Sequence, residues 1–344
     1  MKRKILKVSN LLVLAAMLLL SDIAGVVYSA PRKEKDFFEN KVITFIVGYK
    51  TGGGYDAWAR IVSPGIKAYT GANIVIKNMP GAGSLLATNK IFVSDPNGLT
   101  IGIINGPGAM QSQMTEIRGA KFDLLKFTWL GRLTSEQRVI CVGSKSKYKS
   151  IEDMRTASAP IKFGASGIGS PTYLDVSLIG QALNIKSEII TGYDTGNEVN
   201  LAVIRGELDA TAASFSSAYS FIRNKDLIPV LQYGDVDMNA LKGIPNMMDL
   251  PGVDNQGREL LDLVLSFLTV GRSIVAPPGL SSQRAAFLTE ALKQSLEDKN
   301  FRKAAQKRKM EVLYLPPKAI REIVEKGLQV SPDLKQSVMK IMGR

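Results

Sequence analysis

The sequence predicts an α/β protein of two lobes, each a mainly parallel sheet flanked by helices. Three observations predict it. Apolar runs of strand length alternate with helical stretches, the pattern of a parallel sheet with crossover helices. The strand-to-helix junctions are repeatedly rich in glycine or hydroxyl residues, at Gly52-Gly53-Gly54, Gly81-Ala82-Gly83-Ser84 and Ser166-Gly167-Ile168-Gly169-Ser170. The chain has 344 residues, enough for about two domains.

Residues 1–29 read as a secretory signal peptide. Lys2, Arg3, Lys4 and Lys7 make a basic start, Leu11 to Leu20 is almost wholly apolar, and Val27 and Ser29 suit the −3 and −1 positions for cleavage after Ser29. Cleavage after Ala30 would put Tyr28 at −3, and an uncleaved anchor is the alternative, disfavoured by the short apolar core. The apolar run Val42 to Val47 is a buried strand. Three glycines follow, and Asp56 is expected as the N-cap of a helix opening at Ala57. Pro64 should kink or interrupt that helix, which ends near Gly71. The same strand, glycine loop and helix recur at Asn73–Lys77, Asn78–Ser84 and Leu85–Val93. The turn Asp95-Pro96-Asn97-Gly98 feeds a third strand, Leu99 to Ile104, ending in a polar loop at Asn105-Gly106-Pro107-Gly108.

A strand at Val139–Gly143 and a helix opening at Ser150 begin the second lobe. Strand Ile161–Gly164 leads through the hydroxyl-rich loop to a helix with Ser170 as N-cap and Pro171 at N1. Strand Ser187–Ile190 ends in Thr191-Gly192-Tyr193-Asp194, and Thr195 to Glu198 has capping-box spacing before a helix that stops at Gly206. Strand Leu208–Ala213, helix Ser216–Asn224 and strand Ile228–Tyr233 complete this unit. Leu260 to Ala276 reads as the return crossing. Ser281 then caps a long amphipathic helix, followed by helices near 301–309, 318–328 and 332–342, with a strand at Glu311–Tyr314. The expected division is residues 37–135 with 270–344 in the first domain and 136–269 in the second.

Composition removes whole classes of chemistry. There is no histidine and one cysteine, Cys141, which rules out a Ser-His-Asp triad, a Cys-His dyad, a histidine-ligated metal and an internal disulfide. Cys141 lies in an apolar run and reads as a buried structural thiol. The formal charge is +13; without residues 1–30, which hold four basic residues and Asp22, it is +10. A basic chain suits nucleic acid, an anionic surface or acidic ligands. The one basic cluster, Arg302 to Lys309, lacks interleaved aromatics and reads as a solvated helix face, so no nucleic-acid partner is expected.

Singly, the loops say little. Gly81-Ala82-Gly83-Ser84 lacks the third glycine of a dinucleotide fingerprint, and no GxxxxGK[ST] occurs. The Ser166 loop is not GxSxG, and a hydrolase elbow would have no histidine base. Helix capping is the plainer reading of Asp56 than a catalytic base. Lys50 serves either as a solvated residue or as charge beside the groove. Together, the loops aim backbone N–H groups and helix N-termini from two lobes at one place. That suits an anion and avoids the desolvation cost of a buried countercharge.

In this order and spacing the motifs resemble the tripartite tricarboxylate transporter receptors, the Bug or TctC-like extracytoplasmic solute-binding proteins. The first loop of that family typically reads VPFxPGGGTD; here it is Val47-Gly48-Tyr49-Lys50-Thr51-Gly52-Gly53-Gly54-Tyr55-Asp56. Its VENxPGAGG appears as Ile76 to Ser84, its DGxTL turn as Asn97-Gly98-Leu99-Thr100, its GSxGxGS as Gly164 to Ser170, and its late PxGxP segment as Ala276 to Leu280. The resemblance implies a type II periplasmic-binding-protein fold closing two lobes over a small carboxylate. Carried over, the ligand-binding residues are Tyr49, Gly53, Gly54, Tyr55 and Asp56; Pro80, Gly81, Ala82, Gly83 and Ser84; Ser166, Gly167, Gly169, Ser170 and Thr172; and Tyr193, Thr195 and Gly196. Lys50, Thr51 and Tyr55 depart from the usual residues of the first loop, which bears on the identity of the ligand. The expected function is a periplasmic receptor that takes a small organic anion to a tripartite-type membrane permease, as a monomer without cofactor, metal or catalysis. The alternatives are an exported enzyme acting on a small carboxylate, or a solute sensor for a membrane signalling protein.

Overall fold

The structure is a computed structural model that describes residues 32–168, 170–236, 238–308 and 310–342. The expected signal segment lies outside the described residues, as does Gly169. Among the described residues ten strands form in chain order: β1 Val42–Val47, β2 Asn73–Asn78, β3 Thr100–Asn105, β4 Thr128–Thr134, β5 Arg138–Gly143, β6 Ile161–Ala165, β7 Ser187–Thr191, β8 Ala210–Ser214, β9 Leu227–Tyr233 and β10 Arg272–Ala276. The helices that matter for the groove and its support are α1 Gly54–Thr70, α2 Leu85–Phe92, α3 Gly106–Met114, α4 Ile151–Arg155, α5 Pro171–Ala182, α6 Gly196–Arg205, α7 Phe215–Arg223, α8 Asn255–Val270, α9 Ser282–Glu297, α10 Lys299–Lys307, α11 Pro317–Leu328 and α12 Pro332–Ile341.

The strands make two five-stranded sheets, ordered β2-β1-β3-β10-β4 and β7-β6-β8-β5-β9. β1 pairs in parallel with β2 and β3, and β6 with β7 and β8. One strand in each sheet runs against its neighbours: β10 between β3 and β4, and β5 between β8 and β9. The sheets are therefore mainly parallel, with one reversed strand at the same place in each. The chain passes from the first sheet to the second between β4 and β5, within three residues. It returns through α8, which packs on α3 and on α5. Leu260, Leu261, Val264, Phe267 and Leu268 of α8 are buried in one apolar cluster with Met110 of α3 and Leu174 and Ile179 of α5. Burial of this kind is the main stabilising term, about 1.5–3 kcal/mol for each large aliphatic or aromatic side chain.

Four local expectations are corrected. Asp56 is not the N-cap: the helix opens at Gly54 with Gly53 as its cap, because the glycines let the backbone turn in earlier, and Asp56 sits in the first turn. Pro64 does not interrupt α1, which is continuous to Thr70. Gly65, beside it, lies so close to α9 that a Cβ there would stand 2.6 Å from Ser295, so packing holds the helix where its own hydrogen bonding is weakest. Asn105-Gly106-Pro107-Gly108 is not a loop; Asn105 caps α3, which begins at once. Glu311–Tyr314 is not a strand; the segment makes a single antiparallel bridge, Leu315 to Arg132, at the edge of β4. The capping box also differs in detail: Thr195 caps α6 through the Glu198 N–H, but the Glu198 carboxylate accepts from the Asp194 N–H instead of from Thr195. The caps at Ser150, Ser170 and Ser281, and the helix end at Gly206, are where the sequence places them.

Candidate functional site

The strands β1, β2 and β3 end on one edge of the first sheet, and their loops are tied to one another. Asn78, the last residue of β2, donates from Nδ2 to the Tyr49 carbonyl at 2.8 Å and to Asp56 Oδ1 at 3.0 Å. Asp56 Oδ2 accepts from the Gly52 N–H at 2.9 Å and from Arg60 Nε at 2.8 Å. Burial works to raise the Asp56 carboxyl, but Arg60, Gly52 and Asn78 outweigh it, so it titrates below the usual carboxylate range. With both oxygens engaged, Asp56 is a brace that shapes the glycine loop. The Gly53 N–H donates to the Lys50 carbonyl at 3.4 Å, and no side chain caps α1, so the partial positive charge of its first turn from Gly54 has no side-chain cap.

Behind this loop lies a buried polar cluster. The rings of Tyr49 and Tyr55 stack with centroids 4.6 Å apart. Asn105 Nδ2 donates to the Tyr49 hydroxyl at 2.8 Å, while the Tyr55 hydroxyl lies 2.9 Å from Glu136 Oε1 and donates to it. Glu136 also accepts from Arg272 Nε at 2.7 Å. The Arg272 guanidinium sits over the Tyr55 ring, 4.5 Å from its centroid. Arg272 Nη2 donates to the hydroxyls of Ser214, at 3.3 Å, and Ser216, at 3.2 Å. Arg272 Nη1 is buried without a partner. A Cβ at residue 54 would stand 2.9 Å from that nitrogen, so Gly54 leaves it room.

Electrostatics keep these groups in fixed states. Burial, and then Glu136, pushes the phenols of Tyr49 and Tyr55 up, so both stay protonated. Burial opposes the Glu136 carboxylate, but Arg272, Arg138 and Tyr55 outweigh it and hold it below its ordinary value. A second ion pair lies deeper: Arg138 Nε donates to Asp175 Oδ2, which also accepts from the Tyr233 hydroxyl at 2.9 Å. A crevice beside Glu136 and Arg272 is lined also by Trp58 and Thr134 and by Phe215 and Ser216 of α7.

From the second lobe, Thr172 lies against this cluster, its hydroxyl donating to the Ala212 carbonyl at 3.1 Å and lying 3.4 Å from Arg138 Nη2. Ser170 is committed to its loop: its hydroxyl donates to the Gly167 carbonyl at 2.7 Å and accepts from the Tyr173 N–H at 3.3 Å. Ser166 is exposed and Gly167 half-buried. The loop containing them reaches the first lobe, where Gln111 Nε2 of α3 donates to the Ile168 carbonyl at 3.3 Å. Tyr193 is half-buried, Thr195 caps α6, and Gly196 is exposed. That loop also reaches across, through Asp194 and Lys50 at 2.5 Å. Tyr49 and Tyr55 are thus stacked together, in the same loop as Gly53 and Gly54, and that loop meets the second lobe through Lys50. Pro80, Gly81, Ala82, Gly83 and Ser84 lie beside the first loop, with Ser84 directly behind Gly48, where a Cβ would stand 2.1 Å from its hydroxyl.

Sequence reasoning missed Glu136, Arg138, Asp175, Ser214, Ser216 and Arg272. A signal existed for two of them. Arg138 and Arg272 each open an apolar strand that is otherwise fully buried, an arrangement that requires a partner for the charge. Among the described residues no group of three or more acidic, histidine or cysteine side chains is placed to hold a metal, and no helix is long and apolar enough to cross a membrane.

Residues 58–336 match the model of a family described as the tripartite tricarboxylate transporter family receptor. A curated relative from Pseudomonas sp. (strain P51), described as a UPF0065 protein in the tcbD-tcbE intergenic region, is 24% identical over 44% of this chain and 46% of its own length, so the chain spans about half of that relative. A Rhodopseudomonas palustris protein solved with adipate superposes with a TM-score of 0.71 at 17% identity, covering 88% of this chain and 97% of that one. MatC from the same organism, solved with bound malate, gives 0.69 at 17% identity over 88% and 99%. These likenesses show the same two-lobed periplasmic-binding fold.

Proposed function

Because the chain belongs to the tripartite tricarboxylate transporter receptor family, we propose that it is a periplasmic receptor for a small carboxylate, which it closes between its two lobes and delivers to a membrane permease. The observation that carries this reading is the uncapped N-terminus of α1 at Gly54, in a loop that meets one of the other lobe's loops through Lys50 and Asp194. Backbone N–H groups there hold an anion without a mobile countercharge. The relatives solved with malate and adipate support a carboxylate.

In this reading the first lobe supplies Tyr49, Gly53, Gly54 and Tyr55, with Asp56 and Pro80 to Ser84 shaping the loop. The second supplies Ser166 to Thr172 and Tyr193 to Gly196. The first lobe comprises 37–135 with 270–344, and the second 136–269. The short passage between β4 and β5 and the end of α8 act as hinges. Ligand drives closure because it touches both lobes only when they are closed. Export through the N-terminal signal brings the chain to the compartment where such a receptor works. The groove binds and releases its ligand unchanged.

The test is a melting-temperature screen of the purified protein with malate, succinate, adipate and benzoate, followed by product analysis of each mixture. A rise of several degrees at saturating ligand with the ligand recovered intact supports the reading. Chemical conversion of the ligand, or no response to any carboxylate, rejects it.

A further inference from the structure

Within the proposed reading, on which it rests, we propose that Arg272 Nη1 pairs directly with a carboxylate of the ligand, so that the site selects its anion by a guanidinium as well as by backbone donors. Three of the directions around this guanidinium are accounted for. Nε is on Glu136 at 2.7 Å, Nη2 is on the Ser214 and Ser216 hydroxyls, and one face lies on Tyr55. Nη1 has no acceptor, although the residue is only 2% exposed. A charged donor buried without an acceptor is costly, and a native site keeps one where an acceptor arrives from outside.

The surroundings say which acceptor. Nη1 lies against Gly54, the first residue of α1, so the charged donor and the uncapped helix N-terminus converge. Both favour negative charge and neither neutralises the other. A crevice next to Arg272 is lined by Ser216 and Phe215 of the second lobe. When the lobes part, Ser214 at the end of β8 and Ser216 in α7 withdraw with the second lobe, and the guanidinium faces the groove. A carboxylate entering then accepts from Nη1 and from the N–H groups at Gly54, and closure returns the serine hydroxyls to Nη2. Glu136 fixes the guanidinium plane through Nε and Tyr55 supports its face, so little side-chain freedom is lost on binding. Arg272 belongs to β10, which runs against its neighbours, and its backbone is paired with Asn105. The anchor is therefore mounted on a strand beside the cap of α3, not on a mobile loop.

The experiment is calorimetric titration of wild type, Arg272→Lys and the double variant Arg272→Gln with Glu136→Gln, using the tightest of malate, succinate, adipate and benzoate. The double variant removes both charges of the pair and leaves no uncompensated carboxylate in the core. The expected result is about a 10- to 100-fold loss of affinity in the double variant, the range of one hydrogen bond to a charged group, and a smaller loss in Arg272→Lys. Compared with Glu136→Gln alone, which keeps the guanidinium, the affinity of the double variant should also depend less on sodium chloride between 20 and 500 mM, as expected for the loss of one positive charge at the ligand. A purely structural defect would weaken binding equally at all salt concentrations. Wild-type affinity in Arg272→Lys or in the double variant, or the same salt dependence in the double variant as in Glu136→Gln, overturns the proposal and leaves the receptor function standing. Failure of the wild type to bind any of the four overturns both.

Discussion

Lys50 Nζ lies 2.5 Å from Asp194 Oδ2, and the two residues follow β1 and β7, strands of different sheets. The pair therefore spans the mouth of the groove, with both side chains about half exposed. Screening by water and salt keeps such a pair weak. Its effect is on the balance between open and closed lobes. Lys50→Ala or Asp194→Ala should weaken ligand affinity by less than about tenfold, and 500 mM salt should erase the difference from wild type. The charge-exchanged double variant should recover most of the loss. Small-angle scattering of the ligand-free protein should show a larger radius of gyration in the single variants.

Gly54→Ala tests stability and binding together. Alanine is the better helix former by roughly 1 kcal/mol, but moving the buried Arg272 off Glu136 more than offsets that gain, so the melting temperature should fall. The added Cβ would stand 2.9 Å from Arg272 Nη1 and displace the guanidinium. Ligand affinity should fall at least about tenfold, measured by calorimetry alongside the melting curve.

Gly65→Ala separates the two. Its Cβ would stand 2.6 Å from the Cα of Ser295, a backbone atom of α9 that cannot turn aside. The two helices must separate, at a cost of about 1–3 kcal/mol in chemical denaturation. Affinity should stay near that of wild type, since neither residue touches the groove.

Acid should destabilise the protein through Asp56 and Glu136. Both carboxyls titrate below their ordinary values in the folded state, despite burial, because of Arg60, Gly52 and Asn78 in one case and Arg272, Arg138 and Tyr55 in the other. The unfolded chain therefore takes up protons first as pH falls, starting near pH 4. Stability from these groups should be complete above that pH and decline as pH drops through the lower folded-state values. Urea midpoints measured from pH 7 to pH 2.5 should fall less steeply in Glu136→Gln with Arg272→Gln than in wild type.

Much of the architecture was legible because its signals are local. The alternation of apolar runs and helix caps gives β1 to β3 and β6 to β9 to within a few residues, and Ser170, Ser281 and Gly206 mark helix ends by their own chemistry. Pro64 and Glu311–Tyr314 misled for a shared reason. In the first, contact with Ser295 overrides a local preference; in the second, β4 offers only one bridge to a segment of strand-like composition. The glycine loops were visible, but the charges behind them were not. Glu136, Arg138 and Arg272 come from strand ends more than 130 residues apart at the extremes, and no local pattern pairs them.

The placement of β10 ties together parts of the gene that lie far from one another. This strand fills the gap between β3 and β4, yet it is synthesised only after the whole of the other sheet. A ribosome that has released residues up to 134 has made four strands that cannot yet join into one sheet. Completion waits for Arg272–Ala276, so the groove and its guanidinium arrive in the same event, and a truncated chain that stops short of them lacks both.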